Sequence, residues 1–235
     1  MLNFVSVCTE KYPMYYAEKL HRRFSEVTKL PADHYCITDR PHEIEGWATP
    51  IAPFKKATGW WNKVNLFSPD MPSGPVLYMD LDIIILQNFD TEIEAMLNTL
   101  PTLSCVSDAI NWMGCKFSSS LMVFKSGQHT HIFDEFLKQG DDLNHRAGGD
   151  QVWIGPQLED INYIDEAFPN LKKNLKYHLM DFKYKPPLLP TEIDDKVKLV
   201  DCTGNPKPNI LAAVPYIKQN WHDVTPVILT SFSNF

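Results

Sequence analysis

The chain has 235 residues, 44% of them hydrophobic and 12% aromatic, which is enough for one substantial core in a single α/β unit. Its formal net charge of -7 excludes the broad basic face of a general nucleic-acid binder, so any site for an anion must be local. Five cysteines (Cys8, Cys36, Cys105, Cys115, Cys202) are odd in number and form no C-x-x-C pair, and they read as buried thiols of a reducing compartment rather than a disulfide framework.

The N-terminal stretch MLNFVSVCTE has neither a basic n-region nor a long apolar h-region, and no run of about 18 apolar residues occurs. A soluble, cytoplasmic protein without integral membrane association is expected. There is no internal repeat or low-complexity tract, and one domain over residues 1–235 is the simplest organisation.

In chain order, NFVSVCT (residues 3–9) predicts a first buried strand. From Tyr15 onward, Tyr16, Leu20, Phe24 and Val27 recur at helical spacing with charges opposite, which predicts a helix. HYCITD (34–39) predicts a second strand. GWWNKVNLFSP (59–69) has Trp60, Val64 and Phe67 at helical spacing and stops before Pro69. PVLYM (75–79) is a third strand and VKLVD (197–201) another. Continuous apolar strands alternating with helices imply a mostly parallel sheet covered on both faces.

Asp80 falls where the strand 75–79 ends, and Asp82 follows with Leu81 between them. In open α/β sheets ligands collect beyond the carboxyl ends of the strands. Two carboxylates this close disfavour joint ionisation unless a cation neutralises them, and a hard divalent ion is a natural partner. A solvated turn with a capping role is the alternative. In KVKLVDCTGNPKPN (196–209) a strand ends at Asp201, and a loop with Gly204 leads to Lys207 between two prolines. Backbone N–H groups and an ammonium could meet phosphate there, or the loop is an ordinary turn with a solvated lysine.

The ordered set of these segments resembles the GT-A glycosyltransferases of the glycogenin and bacterial galactosyltransferase type, the retaining family 8 group. A strand ending in D-x-D followed at a distance by (H/D)-x-x-G-x-x-K-P carries the resemblance. VCTEKY with Thr9 and Tyr12, WWNKVNLF with Lys63, SDAINWMGCKFSSSLMVFKSG with Asp108, Phe117, Ser118, Ser119 and Ser120, and GGDQVWI with Asp150 and Gln151 follow the same pattern over residues 3–209. It implies a single GT-A (Rossmann-like) α/β domain with a mostly parallel mixed sheet flanked by helices. A nucleotide-binding part would cover about 1–90, an acceptor-side and third-ligand part about 91–210, and a tail 211–235.

The activity implied is transfer of a hexose, glucose or galactose, from a UDP-sugar to an unknown acceptor with retention of configuration. Asp80, Asp82 and Asp201 would hold Mn²⁺ or Mg²⁺. Cys8, Thr9, Tyr12, Asp80, Leu81, Gly204 and Lys207 would line the nucleotide. Lys63, Asp108, Asp150 and Gln151 would surround the sugar. Three departures mark the chain: Asp201 stands where the pattern has histidine, Ser118 and Ser120 replace asparagine and glycine, and K-P-N replaces K-P-W. Packing behind Lys207 is then lost or supplied by another aromatic such as Trp221.

Other residues read as structural. His129 and His131 suit a surface or capping role, one of Trp60 and Trp61 belongs to the core, and nothing near Cys8 or Cys202 marks an activated thiol. Two further functions fit less of the pattern. A nucleotidyltransferase would need a Gly-rich loop near the first strand, and VCTEKYP has no glycine. A nucleotide-sugar-binding module that has lost transfer would account for the departures at Ser118, Ser120 and Asp201.

Overall fold

The computed structural model describes residues 1–10, 12–54, 57–139, 148–181, 183, 190, 192–204, 207–211 and 214–222. Among these residues a seven-stranded sheet has the order β3-β2-β1-β4-β7-β6-β8. Its strands are β1 (Leu2–Val7), β2 (Ala32–Ile37), β3 (Thr49–Ile51), β4 (Pro75–Met79), β6 (Leu103–Ser107), β7 (Phe117–Lys125) and β8 (Ile161–Tyr163). Pairing is parallel for β1/β2, β2/β3, β1/β4 and β6/β8. It is antiparallel where β7 lies between β4 and β6. A second sheet, β5-β10-β9, joins β5 (Ile83–Ile85), β10 (Leu199–Asp201) and β9 (Lys172–Asn174).

Alternation along the strands divides the interior into two cores. Phe4, Leu77, Met79, Leu121 and Val123 turn to the side of helix α1 (Tyr15–Val27), helix α2 (Asp90–Leu97) and the small sheet. Val5, Val76, Tyr78, Met122 and Phe124 turn to the side of Trp61, Phe67 and helix α3 (Thr130–Gln139). A residue-by-residue change of face is the period-two geometry of a strand, so both faces of these strands are apolar, as buried parallel strands require. Helix α1 buries Tyr16, Leu20 and Phe24, and Phe24 stacks on Phe4 at 4.1 Å between ring centres.

The segment expected as an α-helix before β4 is a 3₁₀ helix over Gly59–Phe67. Its asparagines account for the tighter turn: Asn62 Nδ2 donates to the Gly59 carbonyl at 3.1 Å and Asn65 Nδ2 to the Asn62 carbonyl at 2.8 Å. Such local side-chain bonds compete with the α-helical ladder. The first two strands sit one or two residues earlier than expected, while β4 has the expected limits.

The chain order fixes where a ligand can enter. From β1 the sheet extends one way through β2 and the other way through β4, so their carboxyl ends open a crevice at a topological switch point. Thr9 follows β1 and Asp80 follows β4. No described helix is long and apolar enough to cross a membrane.

Candidate active site

A cleft of about 640 Å³ opens at this switch point. Thr9, Tyr12, Lys63, Asp80, Leu81, Asp82, Asp108, Asp150, Gln151, Asp201, Gly204 and Lys207 all line it, although they come from segments scattered over two hundred residues. Of the residues assigned in the sequence to the metal, nucleotide or sugar, only Cys8 is off its surface, and Phe117 of the motif set lies in the core. Cys8 is fully buried behind the wall, and burial, with Cys36 adding to it, pushes its thiol up to about 12, so it is an inert packing residue.

Each wall is positioned by identifiable bonds. The loop after β1 is held by Arg40, whose Nη2 donates to the Thr9 carbonyl at 3.2 Å and to the Tyr12 carbonyl at 2.6 Å. Asn62 Nδ2 donates to Thr9 Oγ1 at 3.1 Å. Asp80 ends β4 in a turn closed by its carbonyl accepting from Ile83 N at 3.2 Å. Leu81 turns into the core at 4% exposure. The antiparallel pairing of β5 with β10 sets Asp201 opposite Ile83, and the Asp82 carbonyl accepts from Cys202 N at 3.0 Å, so Asp82 and Asp201 become neighbours.

Gly148 and Gly149 lead into the short helix α4 (Gly149–Ile154) with φ of +90° and +68°. A side chain at Gly148 would meet Val152 Cβ and Met113 Sδ at 2.9 Å. The backbone conformation and the space together require glycine there. The turn sets Asp150 and Gln151 on the cleft, beside the exposed Trp60. On the same rim Asp108 Oδ2 accepts from Trp112 N at 2.6 Å, closing a turn in which Asn111 and Met113 both have φ of +52°.

The electrostatics are those of carboxylates interleaved with ammonium groups. Lys63 Nζ lies 2.9 Å from Asp80 Oδ1 and 3.4 Å from Asp150 Oδ2, and donates to Ser119 Oγ at 3.0 Å. Ser119 Oγ also donates to Asp150 Oδ2 at 2.6 Å. Lys172 Nζ donates to Asp201 Oδ2 and to Ser120 Oγ, both at 2.7 Å. Lys207 Nζ donates to Asp82 Oδ2 and lies 5.5 Å from the centre of the Tyr12 ring. The aromatic beside Lys207 is therefore Tyr12. Trp221 lies instead in the core, 5.0 Å from the Tyr16 ring.

These contacts shift the titrations in opposite directions. Burial raises the Asp80 carboxyl above its ordinary range and Asp82 adds to this, while Lys63 and the Tyr78 hydroxyl oppose it. Burial works the same way on Asp201, but the Lys172 ammonium and two bonds from Thr203 outweigh it and hold Asp201 below its ordinary value. Burial would lower Lys63, yet Asp150 and Asp80 raise it, and Asp82 raises Lys207 against burial in the same way.

Three residues that touch this network were not evident in the sequence: Lys172, Thr203, whose N–H and hydroxyl donate to Asp201 Oδ1, and Tyr78, whose hydroxyl donates to Asp80 Oδ1. Lys172 sits in NLKKNLKYH, where one lysine in three cannot be told from its solvated neighbours without strand register. Other expectations are resolved by position. Trp61 is core and Trp60 is 52% exposed at the cleft mouth. His131 is exposed and its Nε2 meets the Gln157 carbonyl at 3.0 Å, while the His129 ring packs edge-on against Phe67 and Phe124. The cysteines are free thiols. KYKPPLLP (183–190), whose prolines predict an irregular loop, lies outside the described residues apart from Lys183 and Pro190, as does the β-prone end of NILAAVPYIKQNWHDVTPVILTSFSNF beyond residue 222.

Comparison with solved structures identifies the architecture. The galactosyltransferase LgtC in complex with donor and acceptor sugar analogues is similar with a TM-score of 0.60 and 13% identity over 96% of this chain and 98% of that one. The chain has the GT-A fold. The glycosyltransferase GlyE of Streptococcus pneumoniae TIGR4 gives a TM-score of 0.65 and 13% identity, covering 94% of this chain and 61% of GlyE. The bifunctional glycosyltransferase WbbM gives 0.54 and 9%, covering 88% and 46%. In sequence, neither a family model nor a curated protein matches. The likeness to LgtC thus spans nearly the whole of both chains, and the GT-A resemblance drawn from motifs alone agrees with it.

Proposed function

We propose that the protein is a glycosyltransferase that moves a hexose, glucose or galactose, from a UDP-sugar to an acceptor with retention of configuration. The observation that carries this reading is the convergence of Lys63, Lys172 and Lys207 with Asp80, Asp82, Asp150 and Asp201 in one cleft at the switch point of a GT-A sheet. Breaking a sugar–diphosphate bond leaves negative charge on the departing phosphate, and preorganised cationic groups aimed at that charge are the main requirement. Lys207, on the loop after β10, is the group we assign to the diphosphate.

Thr9 and Tyr12 would flank the base, and Asp80 the ribose. Lys63, Asp108, Asp150 and Gln151 offer donors and acceptors for the hydroxyls of the hexose. Gln151 would face the electron-poor anomeric carbon, and in a same-face displacement no protein nucleophile is needed. The exposed rings of Trp60 and Trp112 on the rim offer apolar faces to an incoming acceptor.

A divalent ion, Mn²⁺ or Mg²⁺, fits the chemistry of Asp80, Asp82 and Asp201, since the donors are all carboxylate oxygens and strand pairing makes two of them neighbours. Such an ion, when bound, would withdraw charge from the leaving diphosphate. In the free protein these oxygens are bonded to lysines, and among the described residues no three acidic, histidine or cysteine groups are drawn together around one point. Binding the ion therefore requires the lysines to give way.

The test is release of UDP from a panel of UDP-sugars with Mn²⁺, Mg²⁺ or EDTA and no added acceptor, because slow donor hydrolysis reports the site alone. Release from one UDP-hexose is expected. Absence of both turnover and UDP binding under every condition would sink the assignment.

A further inference from the structure

Lys172 is a charged side chain buried without an obvious structural need. It opens β9, which pairs in parallel with β10, and it lines the cleft. Its side chain is 7% exposed and that of its partner Asp201 is 4% exposed. A buried ion pair is weak evidence for stability, because desolvation offsets the attraction, so its place on a cleft wall points toward use. Both partners of Lys172, Asp201 and Ser120, are positions at which this chain departs from the resembled motif pattern.

The charges leave few ways to load this cleft. Asp80, Asp82, Asp150 and Asp201 face Lys63, Lys172 and Lys207, close to neutrality. A divalent cation entering alone would approach three ammonium groups and strip two of them of their carboxylates. A diphosphate entering alone would be set against Asp82 and Asp201. Each arrival by itself creates unpaired charge among largely buried side chains, where it is costly. Arriving together, cation and diphosphate restore alternation of sign.

We propose that Lys172 is a diphosphate-binding residue and that it and Lys207 are exchangeable counterions, neutralising Asp201 and Asp82 in the free protein and passing to the diphosphate when a divalent cation takes the carboxylates. The proposal rests on the nucleotide-sugar reading above. Cation and nucleotide binding are then coupled, and the coupling is reciprocal: each raises the affinity of the other by one and the same factor.

The experiment is calorimetric titration of Mn²⁺ into the protein alone, with saturating UDP and with saturating uridine, repeated for Lys172→Met. UDP is expected to raise Mn²⁺ affinity on the order of 100-fold and uridine to leave it unchanged. In Lys172→Met, which keeps the unbranched stem, Asp201 is freed, Mn²⁺ binds without nucleotide, and the coupling factor falls by about tenfold or more. Should that variant fail to fold, Lys172→Gln serves, and the wild-type titrations stand without either. Mn²⁺ bound equally well with and without UDP, or a coupling factor unchanged in the variant, overturns the proposal and leaves the nucleotide-sugar reading intact. UDP without affinity at any Mn²⁺ concentration removes both.

Discussion

Replacing Lys63 by methionine tests the electrostatic account of the cleft without reference to any substrate. The side chain is 12% exposed and its ammonium serves two carboxylates, Asp80 at 2.9 Å and Asp150 at 3.4 Å. Methionine keeps the stem and removes the charge, leaving two buried carboxylates side by side. Removing one partner of a buried pair costs about 3–5 kcal/mol. For a chain of this size each kcal/mol moves the thermal midpoint by about 2–4 °C, so a fall of roughly 6–20 °C is expected near pH 8.

The same reasoning fixes a pH dependence. Asp80 already has its carboxyl raised by burial, and without Lys63 it rises further. A group whose folded value lies above its unfolded one contributes stability below the unfolded value and loses it as pH rises through the folded one. The penalty in Lys63→Met should therefore be smaller at pH 5 than at pH 8, because falling pH favours the neutral carboxyl that burial prefers. Urea unfolding of both proteins at pH 5 and pH 8 measures it. A loss below about 1 kcal/mol at pH 8, the range of an exposed pair, or an equal loss at both pH values would refute the argument.

Two further outcomes are expected. Lys207→Met should weaken UDP binding roughly 10- to 100-fold through the lost charge-assisted contact and leave uridine within about twofold, and equal losses for both ligands would remove Lys207 from the diphosphate. His21 is buried between Ser6 Oγ at 2.8 Å and His34 Nδ1 at 2.9 Å; burial and, for His21, the neighbouring His34 hold both rings below the ordinary value. Their folded values are depressed, so stability is complete above the unfolded value and declines as pH falls toward the folded ones. The thermal midpoint should drop between pH 7.5 and pH 5.5, with a smaller drop in His21→Leu; an unchanged slope would remove the pair from the acid sensitivity.

The parts of the site that could be read from sequence were those with a local signature. Asp80 and Asp82 stand out because charge interrupts an apolar run, and Asp201, Gly204 and Lys207 because a strand gives way to a Gly-Pro loop. These cues locate strand ends, which is where an α/β sheet collects ligands. What was hidden depended on pairing between distant segments. Lys172 owes its place to its register with β10, which no spacing in NLKKNLKYH encodes. The 3₁₀ form of Gly59–Phe67 depends on which carbonyls Asn62 and Asn65 reach, a choice invisible to hydrophobic periodicity. Conversely, Cys8 looked like a wall residue because its neighbour Thr9 is one, but the Cys8 side chain is fully buried behind that wall.

Asp201, Ser120 and Lys172 are intelligible only as a unit. An imidazole in place of Asp201 would be neutral and would leave the buried Lys172 ammonium uncompensated. Glycine in place of Ser120 would remove the hydroxyl that accepts its second bond at 2.7 Å. Without Lys172, the buried carboxylate of Asp201 would keep, among the described residues, only the Thr203 backbone N–H and hydroxyl as partners against the burial that disfavours its charge. Loss of any one of these groups is costly, as removal of one member of a coupled charge network is. The departures at Asp201 and Ser120 therefore meet in one contact, since both side chains bond the Lys172 ammonium.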